Sequence, residues 1–430
     1  MYRYTKRATP ASGQTAGTGR TALSSPASPG PRHSSLTPGP RAADDARGEP
    51  FRRDAPTLLC YGALAAYAFW LYAFGPALAL LRAELHLSYA MVGVYSALWS
   101  GGALLAGATF AAAARRLSRA GLLWCSAAAA AAGAGLFTAH AVAVTLLGAA
   151  LLGFAGTTLL TSTQAILSDR HGERRERALV ETNIGAAGCA VLAPLLLGLL
   201  QGTPAGWRLA MGFPVLLLAG LYLRYRHQPL PAAPAGPSAS GWAQLPASCW
   251  LLAGLVAVGI AVEFCVVYFG AELLTTIGLR TAAAATAMSG FYLGILAGRI
   301  GGAWLTRHAG RTVVLLGASL AVAAAGFVLF WLSGLPVLAI TGLFVCGAGV
   351  ANLYPLSLAL TLAAAPGNGD TANAATQLLG GALVIAAPYL LGSLADHVGL
   401  RAAFTIEPVL IGISALLLPA GLKAARRSGA

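Results

Sequence analysis

The stretch Ala193-Pro194-Leu195-Leu196-Leu197-Gly198 returns 194 positions later as Ala387-Pro388-Tyr389-Leu390-Leu391-Gly392. Just downstream, Gly206-Trp207-Arg208 answers to Gly399-Leu400-Arg401, and Pro214-Val215-Leu216 to Pro408-Val409-Leu410. Apolar low-complexity sequence produces chance matches. Prolines and loop arginines that keep their order and spacing across two apolar blocks point instead to a tandem duplication.

Around this repeat the chain reads as apolar blocks at 57–81, 89–113, 121–139, 141–167, 178–200, 207–225, 247–272, 283–305, 312–333, 336–363, 373–394 and 400–422. Most are long enough to cross a hydrocarbon core of about 30 Å as a helix. The Pro-rich segment 227–246 reads as a linker between two sets of six. Residues 1–55 are rich in Pro, Gly, Ser and Arg without apolar periodicity, which predicts a disordered tail. The expected architecture is an all-α membrane protein with twelve transmembrane helices in two pseudo-symmetric six-helix bundles, over 56–226 and 247–422, followed by a short tail at 423–430.

Composition agrees. The chain is 57% hydrophobic and 10% charged, where soluble domains carry roughly 25% charged residues. The net charge of +14 does not mark a nucleic-acid partner, because nine of the 28 basic residues fall in the first 53 positions and most others sit in short gaps between blocks. No basic stripe interleaved with aromatics is present. The six cysteines lie singly within or beside apolar blocks, so neither a metal site nor a disulfide framework is indicated. No cofactor is expected.

Loop charge sets an expected orientation. With the amino terminus inside, 23 Arg and Lys fall on the cytoplasmic side, including Arg115, Arg116, Arg119, Arg170 and Arg177, against Arg82, Arg208, Arg280 and Arg401 outside. This asymmetry places both termini in the cytoplasm of a multi-pass protein of the cell membrane. A duplication of six spans inserts both halves in the same orientation, related by an axis along the membrane normal, with a site between them near the midplane. That geometry points to transport.

A loop pattern adds a family resemblance. Gly107 is followed by Ala114-Arg115-Arg116-Leu117-Ser118-Arg119, and Gly298-Arg299-Ile300-Gly301-Gly302 leads into Thr306-Arg307-His308-Ala309-Gly310-Arg311. These segments resemble the two copies of the Gly-x-x-x-Asp-Arg-x-Gly-Arg-Arg pattern of the major facilitator superfamily. The resemblance implies twelve spans, secondary transport by alternating access, a monomer, and gating loops at Gly107, Arg116, Arg119, Gly302, Arg307 and Arg311. Both copies lack the acid, with Arg115 and Thr306 near its place, so a gating salt bridge built from it does not carry over. In span five, Gly185 through Pro194 to Gly198 faintly resembles the Gly- and Pro-rich pattern of proton-linked drug exporters, which leaves uptake and export both open.

The candidate site residues are polar groups inside the blocks. A carboxylate at a helix centre costs about 2.5–3.5 kcal/mol on insertion scales, so one found there is a functional candidate. Glu263 lies well inside span seven, as a proton-coupling carboxyl, a solute ligand or a structural carboxylate paired with a cation. Arg299 in span eight neutralises an anionic solute, pairs with Glu263, or serves gating and packing as the resemblance implies. Gln164, Asn183, Asn352, Tyr354 and Gln377 are candidates to line a polar cavity or to join helices, and Trp70 and Tyr268 to form aromatic walls. Glu181 is expected to cap span five or pair with Arg177, while Asp396 and Glu407 sit near membrane boundaries without a special role.

The expected partners are a small-molecule solute, protons and the lipid bilayer. No P-loop is present, which argues against ATP-driven transport by this chain. An intramembrane lipid-modifying enzyme would need carboxylates or histidines clustered at one depth, and a non-transporting receptor on the same fold is the other alternative. The substrate is not legible.

Overall fold

The computed structural model describes residues 53–172, 175–230, 245–305, 312–366 and 368–428. Nearly all of the expected tail at 1–55 and most of the linker at 227–246 lie outside the described residues. Among the described residues there are fourteen helices and no strand. In chain order they are α1 Ala55–Leu85, α2 Tyr89–Arg116, α3 Arg119–Phe137, α4 Val142–His171, α5 Arg175–Leu200, α6 Arg208–Tyr225 and α7 Ala247–Thr276. There follow α8 Thr281–Leu305, α9 Thr312–Leu332, α10 Pro336–Val350, α11 Leu353–Ala363, α12 Gly369–Val398, α13 Leu400–Ala403 and α14 Ile406–Ser428.

Local chemistry sets the boundaries. Asp54 caps α1, accepting from the Thr57 N–H at 3.1 Å, with Pro56 in the first turn where its missing N–H is harmless. Ser88 and Ser118 cap α2 and α3 by the same geometry, accepting from Met91 and Gly121. Among the described residues, eleven segments are long and apolar enough to cross a membrane. The twelfth, α6, has only 18 residues and carries Arg208 and Arg224 at its ends.

Two spans are broken where the sequence suggested one helix. Span ten divides at Ala351 and Asn352 into α10 and α11. Span twelve divides at Phe404 and Thr405 into α13 and α14, and runs to Ser428, beyond the expected end.

Helix pairing repeats between the halves. The pair α3–α4 corresponds to α9–α10, α2–α4 to α8–α10, and the packing of α1 on α5 and α6 to that of α7 on α12 and α14. Glycine positions carry the same relation. Gly148 packs on the Phe137 backbone and Gly153 on the Trp99 carbonyl; 194 positions later Gly342 packs on the Phe330 backbone and Gly347 on the Phe291 carbonyl. Such close approach needs a residue without a Cβ. The duplicated sequence therefore folds into two equivalent six-span halves.

Between the halves, α1 packs on α7 and α8, α2 on α12, and α5 on α8. The last two pairs interchange under the same relation. Among the described residues, an ion pair and two hydrogen bonds join the halves at the far end, where α1 finishes and α2 begins. There Arg82 meets Glu272 at 3.1 Å, and Asp396 of α12 accepts from the backbone N–H groups of Tyr89 and Ala90, each at 2.8 Å. Toward the near end, where α1 begins, α5, α8 and α12 leave Ile184, Ile300 and Leu378 exposed.

Candidate functional site

Polar and aromatic side chains of α1, α7 and α8 converge where the two halves meet. Glu263 of α7 is half-buried and Arg299 of α8 is exposed. Arg299 lies close enough to the Tyr72 hydroxyl of α1 and to the Glu263 carboxyl to act on both electrostatically. Among the described residues, neither Glu263 nor Arg299 is in a direct ion pair. An acidic and a basic group thus face the same seam without direct contact. In surroundings less polar than water, such charges interact strongly with any ligand or proton that comes between them.

Aromatic rings bridge the halves on the far side of this pair. Tyr72 meets Tyr292 of α8 edge-on, with centroids 4.9 Å apart, and Phe74 meets Tyr268 of α7 at 5.9 Å. The Tyr268 hydroxyl is buried beside Ser100 of α2, and among the described residues the buried Tyr292 hydroxyl has no hydrogen-bond partner. Tyr268 also packs on Phe264, at 5.6 Å. The Arg82–Glu272 pair lies beyond these rings along α1 and α7.

The remaining candidates divide. Trp70 is fully buried and its Nε1–H donates to the Met211 carbonyl of α6 at 3.0 Å, inside its own half. Asn352 joins helices, the second of the two roles open to it. Its amide donates to the Gly298 carbonyl at 2.9 Å and fills the space where a Gly302 side chain would sit. The span-ten break therefore serves to anchor α8. Gln377 reaches the Tyr354 hydroxyl at 3.4 Å, a long contact between α12 and α11. Asn183 is exposed and donates to its own helix at the Leu179 carbonyl, 2.7 Å away; Gln164 is half-buried in α4.

At the near end, Arg119 pairs with Asp169 of α4 at 2.7 Å, within its own half, and Arg116 is exposed. Gly107 has open space where a Cβ would be, so close helix packing does not explain it, whereas Gly302 is packed against Asn352. Arg307 and Arg311 lie outside the described residues. Glu181 does pair with Arg177 at 3.1 Å, and also with Arg53 at 2.8 Å and the Tyr61 hydroxyl at 3.1 Å.

Three acids were undervalued in the sequence. Glu272 is nearly fully buried and bridges the halves, Asp396 caps a helix of the other half, and Glu407 is wholly buried. Glu272 had a legible signal, since it lies in the same apolar block as Glu263 and ends near the level of Arg82.

Comparison with known proteins supplies the family. The sequence model of the Major Facilitator Superfamily matches residues 58–383. No curated protein matches the chain by sequence. Among solved structures, a bacterial homologue of the human lysosomal transporter Spinster, inward-facing and unoccupied, is 14% identical and aligns over 87% of this chain and 96% of its own, with a TM-score of 0.66. The nucleoside transporter NupG is 15% identical over 86% of this chain and 98% of its own, with a TM-score of 0.66. The peptide transporter POT in complex with sulfate is 16% identical over 86% and 95%, with a TM-score of 0.68. At these identities the likeness is one of fold.

Proposed function

Since the chain belongs to the Major Facilitator Superfamily and is thereby a secondary transporter, we propose that it moves a small polar solute with protons, by alternating access between its two halves. The observation that carries this reading is the Glu263–Arg299 arrangement: two opposite charges at the seam, near each other and not in contact. A solute with a charged or hydrogen-bonding end completes the site. The fold relatives that carry nucleosides and peptides make those two classes the first to try.

In this reading the near end faces the cytoplasm, because the arginines of the α2–α3 and α4–α5 connections lie there. The conformation described then holds the halves together at the outer end. Ionised Glu263 is attracted to Arg299. A proton on Glu263 cancels that attraction and leaves Arg299 free to hold an anionic group of the solute. Rocking of the halves breaks the far-end contacts and exposes the same residues to the other side.

The test has two stages. A panel of nucleosides, peptides, sugars, organic acids and drugs is first screened for thermal stabilisation of the purified protein, since a ligand stabilises the state it binds. Flux of the hit is then followed in proteoliposomes with an imposed pH gradient. Glu263→Gln is expected to abolish stimulation by the gradient while retaining binding. Transport by Glu263→Gln that keeps the wild-type pH dependence would reject the coupling role.

A further inference from the structure

A second carboxyl group, away from the seam, lies inside the C-terminal half. Glu407 occupies the first turn of α14, is 0% exposed, and among the described residues no nitrogen or oxygen donor reaches either of its carboxyl oxygens. The helix packs against α7 and α9. From α7 the thiol of Cys265 lies against the carboxyl, and from α10 Cys346 lies within electrostatic reach of both Glu407 and Glu263. Helix α9, Thr312–Leu332, contains no titratable residue. No cation faces Glu407 among these neighbours.

An ionised carboxylate in this setting would have no counter-charge and only the weak Cys265 thiol as a donor, which is far more costly than burying the neutral acid. Cys265 and Glu263 are two residues apart on α7 and so point to nearly opposite sides of the helix. One helix therefore presents Glu263 to the seam and Cys265 to Glu407. We propose that Glu407 is a second proton-binding site of this transporter, occupied in the conformation described, across α7 from Glu263. Its only ligand is the proton, exchanged with water as acid to carboxylate without any other bond change. Its participation in transport rests on the proton-coupled reading above; its occupancy does not.

Infrared spectroscopy of the purified full-length protein tests the occupancy directly. At neutral pH the wild type should show a deuterium-sensitive carboxylic-acid carbonyl stretch that is lost in Glu407→Gln and retained in Glu263→Gln. A band that survives unchanged in Glu407→Gln overturns the proposal. Thermal unfolding gives a second readout, because glutamine cannot ionise. The wild type should lose stability relative to Glu407→Gln as pH rises, whereas a uniformly less stable Glu407→Gln would mark a paired structural carboxylate and also overturn it. Should Glu407→Gln not fold, Cys265→Ala should shift the same band by removing the neighbouring thiol, and an unmoved band counts against the assignment. Failure of Glu263→Gln to alter transport would remove the coupling role of Glu263 and leave the Glu407 band as it is.

Discussion

Arg82 at the end of α1 donates to Glu272 of α7 at 3.1 Å, the ion pair by which one half of the molecule holds the other at the far end. Glu272 is 2% exposed, its second oxygen has no partner, and the Arg82 guanidinium also stacks 3.8 Å from the Tyr89 ring centroid. Removing one member of a buried pair strands the other, typically at about 3–5 kcal/mol. That cost falls on the conformation closed at the far end, since this pair joins the halves there. Arg82→Ala should therefore shift the population toward far-end opening, and each 1.4 kcal/mol is about tenfold in the equilibrium. Spin labels on α2 and α12 should report longer far-end distances by pulsed electron resonance. Arg82→Lys should restore the short distance, and an unchanged distribution in Arg82→Ala would refute the role.

Asp396 supports the same closure by a different route. It accepts at 2.8 Å from the first two N–H groups of α2, in the other half, where helix N-termini carry orphan donors and positive partial charge. Loss of such a cap costs about 0.5–2 kcal/mol. Asp396→Ala is expected to lower the melting temperature modestly and to lengthen the same α2–α12 distance. Asp396→Asn should lie between it and the wild type, because an amide oxygen still accepts.

The near end has a pH signature in Asp54. Burial alone would raise this carboxyl, but the hydrogen bonds from Thr57 and the Arg170 guanidinium outweigh it and hold it below the usual carboxylate range. Thr57 donates to it from both backbone and hydroxyl, and Arg170 lies 2.6 Å away. A carboxyl lowered in the folded state stabilises the fold above its unfolded range, and that contribution fades as pH falls through the folded value. Asp54→Asn should cost about 1 kcal/mol near neutrality as a weakened cap. The gap to the wild type should close on acidification. Melting curves across the acid range decide it, and a gap independent of pH would mean that charge plays no part.

The fold was largely legible because its evidence is distributed: block length, charge asymmetry and the repeat each extend over many residues. The site was legible only where one residue was enough. Glu263 stood out because no other charge lies near it in sequence, and the structure brings it to the seam. Which face Trp70 and Asn352 present was not legible, because helices that are apolar all round do not reveal which side faces the cavity and which joins a neighbouring helix. Glu407 reads as a membrane-boundary residue in the sequence, but the turn at Phe404 and Thr405 begins α14 with its carboxyl inside the half. Pairings such as Arg82 with Glu272, separated by 190 positions, leave no local trace.

The duplication makes its own prediction about packing. Gly153 of α4 lies against the Trp99 carbonyl of α2, and Gly347 of α10 against the Phe291 carbonyl of α8; a Cβ at either position would collide with that oxygen. Backbone cannot swing aside as a long side chain can, so each helix pair would have to part. Overpacking of this kind costs about 1–3 kcal/mol. If the halves are equivalent, Gly153→Ala and Gly347→Ala should destabilise the protein by similar amounts. Gly107→Ala, in open space, should cost nothing or stabilise slightly by its better helix propensity. Thermal unfolding of the three single variants and of the Gly153→Ala/Gly347→Ala pair tests this, with near-additive losses expected for sites in separate halves. A large asymmetry between the two single variants would show that the repeat no longer imposes equal packing.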